Sequence, residues 1–479
     1  MSRPRVVIPI VVQFSIRYVL RTGLLERMAE YAQPIILLRW QDDELWREME
    51  RSGAEVFLLP PSECGVGYTR IKRQLDMWHL KQLQSPTTAI DARRLALLSP
   101  PTLRSRFRDT FYQVNLALPG KPARLLEKVQ RALWQHTNIQ VFDALLKAVR
   151  ADAVLSLTPY FQQEQLLLYA AKQQGLPLCA SILSFDNLTT RGWIPVVFDA
   201  YFLWNRYNQA ELRRAYPEAA SSQIVIVGAP QFDFYWDRSY LWDERLWRER
   251  LGLPPDRPVI LFGGGHYLIA PHEPHWLQQL DDAIEACEIP ERPVILFRPH
   301  PNDPLDRWRS VLQHARHVVH DAPWALGATN PALTNIRRED IEKLASTLAH
   351  SHVHVNASST MTVDGAVFDR PQVGPAYDDR PGRPYDRLTK ELYLREHYLP
   401  ITRSGGLDIV NSRDQLIAAI RVGFEHPARL AEGRRRMVRE ICTYDDGCCT
   451  ERLNQALKSF LVERGIAPKT ETKILEREL

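Results

Sequence analysis

The chain has 479 residues, 45% of them hydrophobic and 25% charged, with a formal net charge of +4. This composition matches globular proteins and excludes disordered, collagen-like and fibrous classes, and the length suggests two or three domains. No apolar stretch reaches membrane-spanning length, and the start "MSRPRVVIPIVVQF" lacks a signal-peptide cleavage site, so a cytoplasmic protein is expected. Six cysteines (Cys64, Cys179, Cys287, Cys442, Cys448, Cys449) have no metal-ligand spacing and are expected to be reduced.

The first elements are "RVVIPIVVQF" and "AQPIILLRW", apolar runs of strand character. A long helical stretch follows, in which Arg70 to Arg131 hold 13 Lys/Arg against 4 Asp/Glu, while the rest of the chain is slightly acidic. Such a stretch suits phosphates, whether on nucleic acid, anionic lipid or a pyrophosphate-linked acceptor, and equally describes a solvated helix face. Within it "LRSRFRDTFYQVNLAL" sets Leu103, Phe107, Phe111, Val114 and Leu118 at helical spacing, with Arg104 and Arg108 beside them. That stripe reads first as core packing and second as a membrane contact. Next come "ADAVLSLT", "LPLCASILS", "DAYFLWN" and "SQIVIVGAP", then a second series, "RPVILFGGG", "RPVILFRPHP", "HVVHDAP", "SHVHVNASS" and "RPQVGPAY". These are continuous rather than alternating apolar runs, as expected of parallel strands covered on both faces. The expected fold is α/β: two Rossmann-like doubly wound parallel-sheet domains facing a cleft, over residues 1–235 and 236–440, with a helical segment at 441–479.

In such sheets chemistry belongs to the loops at the carboxyl ends of the strands. "SFDNLTTRGW" concentrates Asp186, Asn187, Thr189, Thr190 and Arg191 there, either as a substrate-facing loop or as a simple Asx-turn. Gly263, Gly264 and Gly265 allow backbone amides to approach a ligand, but form neither GxGxxG nor a P-loop. Arg298 and His300 lie in "RPHP", where two prolines hold the histidine ready to meet a phosphate or base, or serve only the loop. Ser358, Ser359 and Thr360 stand where a strand gives way to a helix, an arrangement for a pyrophosphate or for an ordinary N-cap. One turn on, Asp364 is placed to reach a ribose diol or to favour the helix dipole.

With these loops in order, the chain resembles the GT-B superfamily, and within it the CDP-glycerol glycerophosphotransferase-like and capsule or surface-polysaccharide glycosyltransferase families. "RPHP" with "NASSTMTVDGAVFDRP", "SFDNLTTRGW" with "IVIVGAPQFDFY", and "DGCCTERL" carry the likeness over nearly the whole chain. It implies a glycosyltransferase moving a sugar from a nucleotide-activated donor to a carbohydrate or lipid-linked acceptor. An alditol-phosphate transferase using a CDP-alditol, or a non-catalytic binding protein, is the alternative. A UDP-sugar 2-epimerase is disfavoured, because the first strand lacks a GTRPE-like stretch. By the resemblance Ser358, Ser359 and Thr360 would hold the donor pyrophosphate, His300 the phosphate or nucleoside, and Asp364 the ribose. The first acid of the E-x7-E pair of retaining enzymes is Asn356 here, so inversion is expected.

An inverting enzyme needs a base from the half opposite the donor, and Asp186 is the expected base, with Asn187, Thr189 and Arg191 on the acceptor side. His136, or the loop around Gln13 and Arg17, is the alternative lining of the acceptor site. No cofactor, no catalytic metal and no nucleic-acid partner are expected; an anionic membrane surface is, at the inner face.

Overall fold

The computed structural model describes residues 3–467 except 62–64, 99, 101, 119–123, 126, 129–130, 132–138, 325–329 and 381–385. His136 therefore lies outside the described residues. Seven parallel strands form the first sheet: β1 (Arg5–Ile10), β2 (Gln33–Leu38), β3 (Glu55–Leu58), β4 (Ala153–Ser156), β5 (Leu178–Ser181), β6 (Ala200–Leu203) and β7 (Gln223–Ile226). They lie in the order β3-β2-β1-β4-β5-β6-β7. Six more form the second: β8 (Val259–Gly263), β9 (Val294–Arg298), β10 (Val318–His320), β11 (Val353–Asn356), β12 (Gln372–Pro375) and β13 (Leu407–Val410). Their order is β10-β9-β8-β11-β12-β13, again all parallel. In both sheets the strand order reverses beside the first strand, and that switch point opens a crevice for ligands.

The central strands β4, β5, β6, β8, β9, β11 and β12 are buried along their whole length, as their continuous apolar runs require. Each fully buried Leu, Ile or Phe contributes about 1.5–3 kcal/mol, so the cores above and below each sheet dominate the fold's stability. A further apolar cluster joins the halves: Phe185, Trp204, Phe232 and Tyr235 pack with Leu392, Tyr398 and Met437.

The C-terminal helix Cys449–Glu463 returns to the first sheet, burying Leu453, Leu457 and Phe460 with Val6 and Ile8. The carboxylate of Asp233, in the "GAPQFD" stretch, starts that helix by accepting from the N–H groups of Cys449 (3.0 Å) and Thr450 (2.6 Å). Gly228 makes the approach feasible. Its φ is +85°, and a Cβ there would lie 2.5 Å from Cys449 Sγ and 2.9 Å from the Cys442 carbonyl. The "GAPQFD" and "DGCCTERL" stretches are thus two sides of one junction.

One expectation is corrected here. The stripe on the Leu103–Leu116 helix is not core: Leu103 and Phe107 are each 74% exposed, Phe111 62%, Val114 63%, and Leu118, just beyond the helix, 54%. The opposite side carries the packing, through buried Tyr112.

Candidate active site

The loops after β5, β8, β9 and β11 line one cavity of about 620 Å³. Its remaining walls come from the Pro86–Leu98 helix, through Asp91, Arg94 and Leu95, and from Arg395, His397 and Tyr398. Hydrogen bonds tie that helix to the second half. Arg395 Nε donates to Asp91 (3.0 Å), Arg93 Nη2 to Glu391 (3.0 Å), and the Glu396 N–H to Thr87 Oγ1 (2.8 Å).

On the side of the second sheet, Ser358 has φ +47°, a left-handed conformation that a residue with a Cβ adopts only when its surroundings impose it. Its hydroxyl donates to the Leu392 carbonyl (3.1 Å), and the Met361 N–H donates to Ser359 Oγ (3.2 Å). This kink turns Ser358, Ser359 and Thr360 into the cavity together. Beside them are two histidines whose rings meet edge to face at 5.7 Å, His266 and His300. Burial lowers both, His300 to about 4, so each is neutral at neutral pH. In each, Nδ1 accepts a backbone N–H, from Asn302 (3.1 Å) for His300 and from Leu268 (3.3 Å) for His266. The proton therefore resides on Nε2, making both donors.

Facing them, Asp186 accepts from Ser184 Oγ (2.6 Å), Thr190 Oγ1 (3.2 Å) and Asn187 Nδ2 (3.3 Å). Burial pushes its carboxyl up, but His397, Arg191 and the two hydroxyls outweigh burial and hold it below the usual carboxylate range. Thr189 Oγ1 lies 3.1 Å from both the Asp186 carbonyl and His397 Nδ1. With the hydroxyl proton on that carbonyl, the His397 proton lies on Nδ1 and Nε2 carries a lone pair. Burial lowers this imidazole to about 4, against the opposing charge of Asp186.

Of the residues expected from sequence, the cavity brings together Asp186, Thr190, Arg191, Gly265, His300, Ser358, Ser359 and Thr360. The others do not line it. Arg298 is buried in an ion pair with Asp321. Gly264 packs where a Cβ would lie 3.0 Å from Trp308 and 3.2 Å from Phe297, and Gly265 N–H is spent on the Glu273 carboxylate (2.9 and 3.0 Å). Neither glycine therefore offers its amide to a ligand; both serve the loop. Asn187 accepts from Tyr160 (2.5 Å), and Thr189 supports His397. Asp364 is engaged by the Tyr235 hydroxyl and lies 3.7 Å from Arg17, so the expected ribose contact and the expected acceptor-side residue are paired with each other. Gln13 is buried.

Sequence reasoning missed Asp91, Arg94, His266, Arg395 and His397. His266 had a local signal, since it directly follows the glycine run at the end of β8. Its four companions had none.

The two-sheet architecture recurs in solved structures. S. aureus MnaA in its UDP co-structure matches with a TM-score of 0.53 at 11% identity, over 98% of this chain and 99% of that one. A UDP-GlcNAc 2-epimerase from Neisseria meningitidis bound to UDP-GlcNAc gives 0.51 at 10% identity, over 95% and 99%. A glycosyltransferase from Rickettsia africae gives 0.51 at 10%, over 96% and 99%. At such identities the likeness establishes the fold, GT-B, and nothing finer. No curated protein matches the sequence. Residues 197–459, more than half of the chain, match the model of the CDP-glycerol:poly(glycerophosphate) glycerophosphotransferases, and the chain belongs to that family.

Proposed function

We propose that this cleft transfers a group from a nucleotide-activated donor to a carbohydrate or lipid-linked acceptor in surface-glycan synthesis, with the donor against the second sheet and the acceptor against the loop after β5. The carrying observation is the convergence of three buried imidazoles on one cavity. His266 and His300 present N–H groups, and His397, with its proton on the Nδ1 that meets Thr189, presents a lone pair. The two donors, with the hydroxyls of Ser359 and Thr360, suit diphosphate oxygens whose charge grows as the leaving nucleotide departs. His397 Nε2 takes the proton of the acceptor hydroxyl, and Asp186, already ionised, balances the resulting imidazolium. The guanidinium groups of Arg94 and Arg191, both lining the cavity, offset phosphate charge without a metal, while Arg395 is paired with Asp91.

Such a site can break either of two bonds. Attack at phosphorus forms a phosphodiester to the acceptor and releases a nucleoside monophosphate. Attack at an anomeric carbon forms a glycosidic bond in a single inverting displacement and releases a nucleoside diphosphate. Family membership favours the first, with a CDP-alditol donor; the resemblance of the "RPHP" and "NASST" stretches to surface-polysaccharide glycosyltransferases as well keeps the second. The proposal sets the reaction at a membrane face, where a lipid-linked acceptor would reside; among the described residues no helix is long and apolar enough to cross a membrane.

The released nucleotide decides between them. With CDP-glycerol, CDP-ribitol and a panel of UDP-, GDP- and dTDP-sugars, we expect stabilisation of the fold by about 2–3 kcal/mol at a hundredfold excess over Kd for the true donor, and CMP as product. Release of UDP, GDP or dTDP would establish the glycosyl form. No stabilisation and no release with any donor would leave a non-catalytic family member.

A further inference from the structure

We propose that the Leu103–Leu116 helix docks this protein on an anionic lipid bilayer, its apolar stripe entering the interface and its arginines meeting the headgroups. The proposal rests on the membrane-face setting above and names the surface that achieves it. At about 100° of turn per residue, Leu103, Phe107, Phe111, Val114 and Leu118 fall within an arc of about 80°. All five are more than half exposed.

The outward orientation is held by the packing of the other side. Tyr112 is buried there, its hydroxyl accepting from Arg70 Nε (3.2 Å), and Asp109 pairs with Arg73 (3.5 Å) on the Gly65–Leu83 helix. The apolar face therefore cannot turn inward without breaking these contacts.

The charges identify the occupant. Arg104 and Arg108 border the stripe on one side and Arg106 on the other, all exposed. Arg104 and Arg106 have no carboxylate partner among the described residues, and the helix's one acid, Asp109, is turned toward Arg73 and Arg108. A protein groove would need acids along both borders of the helix, whereas an anionic bilayer supplies negative charge on every side of an inserted apolar strip. The helix also lies outside the family-matched residues 197–459, so this surface belongs to the part of the chain the family model does not describe.

The test is co-sedimentation of the full chain with phosphatidylcholine vesicles, with and without phosphatidylglycerol. Binding is expected only with the anionic lipid, reduced about tenfold or more in a Phe107→Glu/Phe111→Glu double variant, and likewise by high salt or by Arg104→Glu/Arg106→Glu. These side chains are exposed, so folding should persist, and the double variant should still release nucleotide in the presence of a soluble acceptor. Equal binding to neutral vesicles, or undiminished binding by the Phe107→Glu/Phe111→Glu variant, overturns the proposal. So does a wild-type oligomer that this variant dissolves, without vesicle binding, because the stripe would then meet a second copy. If vesicles are bound as expected but no donor releases nucleotide, the docking stands and the transferase reading fails.

Discussion

Replacing His397 with alanine is expected to lower turnover about a thousandfold while leaving nucleotide affinity within about twofold of wild type. The imidazole lines the cavity from the wall facing the Ser358–Thr360 turn, and its Nδ1 is committed to Thr189, so the loss falls on proton removal rather than donor binding. The pH profile gives a second readout. A base works only while its lone pair is free, so kcat/KM should be level through neutral pH and fall as pH drops through about 4, the value to which burial lowers His397. Asp186 opposes that lowering, so Asp186→Asn should move the acid limb to still lower pH and reduce turnover about a hundredfold. The fold must be followed alongside. His79, His272, His300 and His397 are all lowered to about 4 by burial, so the stability they contribute is complete above their unfolded value of about 6.5 and is lost as pH falls toward 4. Survival of turnover in His397→Ala would send the proton elsewhere, and an equal loss of donor affinity would make His397 a donor ligand.

Legibility in the sequence followed the range of the interactions involved. The strands buried on both faces, such as β8 "VILFG" and β9 "VILFR", announce themselves as unbroken apolar runs. The edge strands β3 "EVFL" and β13 "LDIV" went unread because each is half exposed and so mixes polar with apolar residues. The same held in the site. Ser358, His300 and Asp186 are set by the strand immediately before them, and local pattern suffices. Arg395 and His397 sit in "ELYLREHYLP", which follows no strand; their placement depends on the link from Arg395 to Asp91, 304 residues away in sequence. Gly265 misleads for a related reason, since Glu273 reaches back eight residues to claim its amide.

Asp364 shows how a short motif can carry structure where a ligand contact is expected, and its substitution should be the most destabilising in the second half. The carboxylate lies in the first turn of the Met361–Val367 helix, accepts from the Tyr235 hydroxyl, and pairs with Arg17 from the helix after β1. Arg17 is itself nearly buried, over the Phe234 ring at 4.9 Å and donating to the Gln231 carbonyl (3.1 Å). Three parts of the chain thus meet at one carboxylate, in the apolar cluster that joins the halves. Burial raises the Asp364 carboxyl, while Arg17 and Tyr235 act against burial to favour its charge. Asp364→Ala would leave a buried guanidinium without its counter-charge and a buried hydroxyl without its acceptor, a loss of about 3–5 kcal/mol. Asp364→Asn, which keeps an oxygen for Tyr235, should lose less, and Tyr235→Phe about 1–2 kcal/mol. Urea unfolding of the three variants without nucleotide checks that order. If Asp364→Asn instead unfolds like wild type but is no longer stabilised by the donor, the carboxylate is a ribose ligand and the brace between the halves is not its role.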